Sequence, residues 1–215
     1  KRAMQREPLG DVNASGTLVK FLPDADVFKT GRDFDKDRLA LRFDELAYLN
    51  AGLTLRMADA RSPDMTSRTF CHLGGISEYV LHICTGKRSL LDDDDGIIST
   101  AEERNGMFVS AALRWNEDMY SDNILGFANG VHTSNGGTHV DGMKAAVTRV
   151  VNQLARASGK LRDKQGSIAS EFLREGLCAI VSVRLQEAEF EGQTKNRLGN
   201  PEVRGVVSEV LGECL

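Results

Sequence analysis

Three stretches of the chain hold residue types that could do chemistry. The first is Glu191-Gly192-Gln193-Thr194-Lys195-Asn196-Arg197-Leu198-Gly199-Asn200, a polar loop bracketed by glycines. Gln193 offers an amide, and Lys195 a mobile ammonium that meets a terminal phosphate as a compact point charge. The spacing is not that of a P-loop, so residue types alone leave the role of this loop open. The second is Gly136-Gly137-Thr138-His139-Val140-Asp141-Gly142, with His132 just before it. His132, His139 and Asp141 could serve a metal hydrolase. The spacing favours a glycine turn, with Thr138 capping the next helix and Asp141 in its first turn. The third is a run of bases: Lys144, Arg149, Arg156, Lys160, Arg162 and Lys164, with Asp163 the only acid among them. Arg149 and Arg156 share a helix face, and Val147 and Leu154 lie about 200° round from them. Such a one-signed stripe reads either as a polyanion-binding surface or as an ordinary solvated face.

Two weaker groups complete the set. Cys71-His72 and His82-x-Cys84 offer four zinc-type ligands. On a strand, however, Cys71 and His72 point to opposite faces, and the spacing fits no common zinc frame. Packed thiols and surface imidazoles are the expected reading. Asp92 to Asp95 is an acidic quartet, expected as a solvated loop because a magnesium site needs carboxylates converging from several elements. Cys178 lies in an apolar strand and is expected as a buried free thiol. No secretory signal is seen, so reduced thiols are expected throughout.

The elements that must position these groups can be read coarsely. Residues 16–22 alternate and predict a strand ended by Pro23. Residues 33–50 predict a helix with Leu39, Phe43, Leu46 and Leu49 on one face, stopped by Asn50-Ala51-Gly52. Residues 53–57 and 66–72 predict a hairpin, and Gly74-Gly75 opens a short helix to about Cys84. Residues 86–106 are not readable. Residues 107–116 alternate with Met107, Val109, Ala111, Leu113 and Trp115 on one face, and residues 123–129 read as their hairpin partner. A long helix over 140–158 has Val147, Val150, Val151 and Leu154 as its core stripe. Residues 177–185 predict a buried strand. Asn200 as N-cap, Pro201 and Glu202 then open the last helix. Strands interleaved with helices indicate an α/β or α+β fold.

The chain has 215 residues, 27 basic and 31 acidic, for a net charge of −4. That balance argues against a surface built throughout to hold nucleic acid or anionic lipid. The longest apolar run, Leu177 to Val183, is far short of a membrane span, and no membrane association is expected. The chain opens on Lys1 and the last predicted helix reaches its end, so a piece of a longer protein is expected.

The loop from Phe190 to Asn200 closely resembles the FEGQTKxxLGN motif of the DNA gyrase B family, and Pro201-Glu202-Val203 continues it. Other segments resemble the family in order. They are Gly16 to Pro23 (GTxVxFxPD), Arg42 to Gly52 (RxRELAFLNxG), Ala111 to Asn116 (ALQWND) and Gly126 to Asn129 (GFxN). Gly136 to Gly142 (GGTHxxG) and Arg174 to Leu177 (REGL) follow. The resemblance covers residues 16–215 and identifies the chain, 1–215, as the transducer domain of the ATPase module. It implies a fold like the second domain of ribosomal protein S5, a mixed sheet with helices packed on one side. It further implies a part of an ATP-dependent type IIA topoisomerase that uses ATP and Mg2+ when intact, couples hydrolysis to negative supercoiling, and is inactive as this piece alone. No metal is expected to bind the piece itself. The match assigns Gln193 and Lys195 to the phosphate end of ATP, with Lys195 at the γ-phosphate. It assigns Lys144 to a DNA segment held in the central hole of the dimer of gyrase B chains, and so favours the polyanion reading of the basic stripe, which adds Arg149 as a DNA-binding residue. DNA, the gyrase A protein and a second gyrase B chain are the implied partners. The same domain of topoisomerase IV and a stand-alone nucleic-acid-binding module of the same fold are the alternatives. Met143 stands where the family usually has Phe, and Ala188 where a proline is common. Residues 58–72 and 86–106 match poorly. These departures suggest a divergent lineage, in a bacterial cytoplasm or, for a plant or alga, a chloroplast or mitochondrion.

Overall fold

A computed structural model describes residues 15–61, 66–91, 96–162 and 164–215. The acidic quartet at 92–95, Pro63 and Asp163 lie outside the described residues. The chain divides into two units, residues 1–36 and 37–215.

In the first unit, residues 15–36 contain no strand, although 16–22 alternate as one. No strand pairs with them among the described residues, and Leu18, Val19, Phe21 and Leu22 are all exposed. Alternation fits a half-buried surface and forms a strand only where a ladder partner exists. Phe21 and Phe34 meet edge to face at 5.6 Å within this unit.

The second unit is built on a five-stranded mixed sheet. Its strands are β3 (Ile98–Arg104), β4 (Met107–Trp115), β5 (Asn123–Ala128), β6 (Val131–His132) and β7 (Leu177–Arg184), in the order β3-β4-β7-β5-β6. β7 is buried at seven of its eight positions, which demands a central place covered on both faces. It therefore sits between β4 and β5, antiparallel to the first and parallel to the second. This corrects the expected pairing of 107–116 with 123–129. The hairpin partner of β4 is β3, in the stretch with no readable pattern, through Asn105-Gly106 at φ 52° and 71°. Two left-handed residues give the hairpin turn that Asn-Gly favours.

The strands sort their side chains by a period of two. Val109, Ala111, Leu113, Leu177, Ala179, Val181 and Val183 face α3 (Thr138–Ala157) and α5 (Pro201–Cys214). Ala112, Cys178 and Ile180 face the other way, onto Ile76, Val80 and Cys84 at α2 (Gly75–Ile83). Burying each larger side chain contributes about 1.5–3 kcal/mol. The mixed sheet is as expected, with the two long helices on one face, and α2 is an added layer on the opposite face. That layer is required because β4 and β7 are apolar on both sides. Burial pushes the Cys178 thiol up to about 12, with Cys84 beside it.

α1 (Lys36–Leu49) buries Ala40, Ala47 and Tyr48, whereas Leu39 is 37% exposed, so its inner face is rotated from the expected leucine stripe. The rotation follows Tyr48, which stacks on His72 and Tyr79. β1 (Leu55–Asp59) and β2 (Thr66–Phe70) form the expected antiparallel pair. On α3, Val147 and Val150 are buried, but Leu154 is 55% exposed. α5 meets α3 at Gly142 and again at Arg149, where Arg149 reaches Ser208 and Gly212, and Leu154 lies more than a turn beyond that contact.

Candidate functional site

The loop after β7 folds back on itself and then onto the start of α3. Phe190 bridges Leu198 across the loop, and the Glu191 amide donates to the Arg197 carbonyl at 3.1 Å. Leu198 continues as a bridge beside Gly137. Its amide donates to the Gly136 carbonyl at 3.3 Å, and its carbonyl accepts from the Thr138 amide at 3.1 Å. The Asn135 amide adds a bond to the Asn196 carbonyl at 2.9 Å. Gly137 makes this approach possible. It has φ 137° and ψ −175°, a region open almost only to glycine, and a Cβ there would lie 2.5 Å from the Leu198 amide nitrogen. Gly137 is also the residue that precedes α3. Thr138 is not the cap, because its amide is taken by the loop and its buried hydroxyl has no partner among the described residues.

The far limb of the loop is held by Asn200. Its side-chain carbonyl accepts from the Glu189 amide at 2.7 Å, and its amide donates to the Glu187 carbonyl at 3.1 Å and to Glu202 at 2.9 Å. Asn200 therefore fastens the loop and gives α5 no side-chain cap, while Pro201 opens that helix as expected. Between the two anchors, Gln193, Thr194 and Lys195 are exposed. Lys195 has φ 55°, a left-handed conformation that costs a non-glycine residue about 1–2 kcal/mol. Its ammonium sits 5.6 Å from the centre of the Phe190 ring. A cation raised on a strained tip, with no carboxylate partner among the described residues, is free to meet an anionic group from outside.

The GGTHVDG segment is scaffold. His139 is fully buried, and burial pushes its pKa down to about 4. The Thr133 hydroxyl donates to the Gly126 carbonyl at 3.0 Å and lies 3.1 Å from His139 Nε2, so the neutral ring carries its proton on Nε2. Gly126 has no room for a side chain, since a Cβ would fall 2.6 Å from that nitrogen. Gly142 is the point where α3 crosses α5, with the Arg204 carbonyl 2.5 Å from where its Cβ would be. Asp141, in the first turn of α3, accepts from Arg197 at 3.2 Å. The WN and REGL segments also meet each other. Trp115 Nε1 donates to the Leu173 carbonyl at 3.0 Å and the Asn116 amide to the Gly176 carbonyl at 2.9 Å.

The two basic residues expected to act together on α3 are separated. Lys144 lines an open cleft of ≈ 490 Å3 with Asp122, Asn135, Asp141 and Arg197, on the side of the Lys195 loop. Arg149 turns toward α5 and donates to the Ser208 carbonyl at 3.0 Å. Arg156 points at the Arg162 and Gln165 carbonyls and the Ser167 hydroxyl, at 3.3–3.5 Å. Of the three, Lys144 has its charge uncommitted among the described residues.

The cysteine and histidine pairs form no common metal site among the described residues, although His72 and His82 both lie against the Tyr48 ring. Cys71 is exposed, and Cys84 is buried under the sheet. His72 has Nε2 2.7 Å from Asp44 and Nδ1 2.8 Å from Glu78, and it stacks on Tyr48 at 3.4 Å. Neither this clamp nor the set of Arg197 contacts is foreseen by the sequence reading. A base two positions after Lys195 is the available signal for the second. Among the described residues no three His, Cys, Asp or Glu side chains converge as metal ligands.

The DNA gyrase B family profile matches residues 75–215. The chain is 44% identical to the gyrase B protein of Synechocystis sp., over all of this chain and 20% of that protein. It is 42% identical to the chloroplastic/mitochondrial gyrase B protein of Oryza sativa subsp. japonica, over 96% of this chain and 28% of that one. Its structure is similar to the 43K ATPase domain of Thermus thermophilus gyrase B, solved with an aminocoumarin. The TM-score is 0.75 at 31% identity, over 89% of this chain and 50% of that domain. The chain thus spans between a fifth and a third of the length of these two curated relatives.

Proposed function

The chain belongs to the DNA gyrase B family, and on that premise we propose that it is the nucleotide-sensing and energy-transducing part of an ATP-dependent type IIA topoisomerase. The observation that carries the proposal is the placement of Lys195, an exposed cation on a strained tip whose base is hydrogen-bonded into the start of α3. ATP is the substrate, bound mainly by a neighbouring domain of the intact protein, and Mg2+ enters with it. Lys195 offers its ammonium to the terminal phosphate, and Gln193 offers its amide beside it. A γ-phosphate gives Lys195 a dense anionic partner that ADP does not, so the loop distinguishes the two states. Movement of the tip then passes through the Leu198 and Thr138 backbone bond into α3, which carries Lys144 nearly two turns further on.

Under this reading the basic side of α3 faces a DNA segment held between two gyrase B chains, and the gyrase A protein supplies the cleavage partner. The Synechocystis relative supports a bacterial setting, in the cytoplasm on this reading, and the relative named for chloroplast and mitochondrion supports one of those organelles. In the intact protein, Lys195→Ala should lower ATP turnover by ~10²–10³, as loss of one electrostatic stabiliser does. Stability should change by no more than about 0.5 kcal/mol, because the side chain is exposed. Turnover near the parent's, with the same melting temperature, would overturn the proposal. Supercoiling rather than decatenation by the reconstituted enzyme separates gyrase from topoisomerase IV. Steeply salt-dependent DNA binding by the chain alone would point instead to a stand-alone nucleic-acid module.

A further inference from the structure

Besides the backbone bonds at Leu198 and Asn135, one guanidinium makes side-chain bonds from the Lys195 loop to the start of α3. Arg197 Nε donates to Glu191 at 2.9 Å, Nη1 to the Asn135 carbonyl at 3.0 Å and Nη2 to Asp141 at 3.2 Å. These acceptors lie on three different pieces of chain. Glu191 is on the outgoing limb, Asn135 in the turn before α3, and Asp141 in the first turn of the helix. We propose that Arg197 is a positioning residue for Lys195, holding both limbs of the loop against α3 so that the ammonium is presented at one place. This rests on the reading of Lys195 as the group that senses the terminal phosphate.

Two observations separate this role from plain structural support. The base of the loop is already tied to α3 by backbone bonds at Leu198 and Asn135, which do not need the Arg197 side chain. The side chains of Arg197, Asp141 and Glu191 are 37%, 43% and 60% exposed, and such ion pairs add little to stability. What the guanidinium adds is restraint on residues 191–196, above those backbone bonds. It also occupies Glu191, the carboxylate nearest to Lys195 in sequence, which would otherwise compete with a phosphate for the ammonium. A planar fork can satisfy three acceptors in three directions at once, whereas the three donors of a lysine radiate from one nitrogen and cannot span acceptors on three separate pieces of chain.

The test uses the intact gyrase B protein reconstituted with its gyrase A partner. Arg197→Ala, Arg197→Lys and Lys195→Ala are compared with the parent for ATP KM, kcat, the ratio of ATP to ADP affinity, and Tm. Arg197→Ala should raise the KM for ATP about three- to tenfold and shrink the ATP/ADP ratio by a similar factor, the sum of several weak charged bonds. Its Tm should stay within about 2 °C of the parent, and KM should rise more than kcat falls. Arg197→Lys should recover less than half of the lost discrimination. If ATP and ADP affinities fall together, if lysine restores the ratio fully, or if nothing changes while Lys195→Ala still collapses the ratio, the positioning role is refuted by itself. If Lys195→Ala leaves the ratio intact, the phosphate reading fails and takes the positioning role with it.

Discussion

The junction between the Lys195 loop and α3 and the corner where α1, β2 and α2 meet are each built round a histidine, and the two are held in opposite states. His139, at the junction, is fully enclosed. Burial drives it toward the neutral form, outweighing the opposing pull of Asp141, while Arg197 adds to the depression. At the corner, burial also disfavours charge on His72, but the carboxylates of Asp44 and Glu78 on its two ring nitrogens outweigh it and raise the pKa. Tyr48 and Tyr79 stack beside it, and the phenol of Tyr79 is pushed up to about 12 by burial and the nearby Glu45 and Asp44. The junction is made of close backbone approaches around a neutral ring, with its ion pairs to Arg197 on the exposed side. The corner is made of charged side chains that span three elements. The first should fail when space is taken away, and the second when protons are.

The largest effect expected is at Gly137. Gly137→Ala meets both a forbidden backbone region, about 1–3 kcal/mol, and an overpacked contact with Leu198, about 1–3 kcal/mol more. Gly52→Ala, at φ 80° beside the corner with open space around it, should cost only the conformational part, about 1–2 kcal/mol. Denaturant unfolding of the two variants measures the difference, and equal losses would mean that the junction is not closely packed.

Acid comes next. His139 has a folded pKa of about 4 against about 6.5 unfolded. Its contribution is fully present above the unfolded value and is lost as pH falls across that window, for about 3 kcal/mol. His72 runs the other way. Its raised folded pKa gives stability that is fully present below about 6.5 and is lost as pH rises through the folded value. Glu78, held below the ordinary carboxylate range first by its bond to His72, is lost only at the acid end. His72→Gln should therefore cost about 1 kcal/mol at mildly acidic pH and progressively less in alkali. Histidine NMR titration reads both rings directly. His139 charged at neutral pH, or His72 titrating below the free imidazole, would break the comparison.

The smallest effect separates two bases on one helix. Lys144→Glu, in the cleft beside the loop, should reduce DNA-stimulated ATP turnover of the intact protein more than Arg149→Glu, whose parent charge is turned to the Ser208 carbonyl. Basal turnover is the control, and equal losses of the stimulated rate would show that the separation does not matter.

Much of the junction is legible in the residues. β7 announces itself as a continuous apolar run, α3 by its 3.6-residue period, and the loop by its bracketing glycines and its likeness to a family motif. Backbone and spacing carry that information locally. The corner is not legible, because Asp44 lies 28 residues before His72 and joins it only when α1 packs here, and the six residues from His72 to Glu78 carry no recognisable pairing pattern. Residues 98–104 alternate too weakly to read as a strand by themselves, although Asn105-Gly106 is a hairpin signal in plain view. The strand expected at 16–22 fails for the converse reason: its pattern is clear, and no described strand pairs with it.

The central claim is that the loop tip and the first turn of α3 respond to nucleotide as one body. Hydrogen exchange in the intact protein tests it most directly, with the amides of Asn135, Thr138, Lys195 and Leu198 followed on addition of a non-hydrolysable ATP analogue or of ADP. The analogue should slow exchange in the loop and in the first turn of α3 together, ADP should not, and the amides around His72 should be unchanged with either. Slowing confined to the loop, or equal slowing with ADP, would contradict the claim.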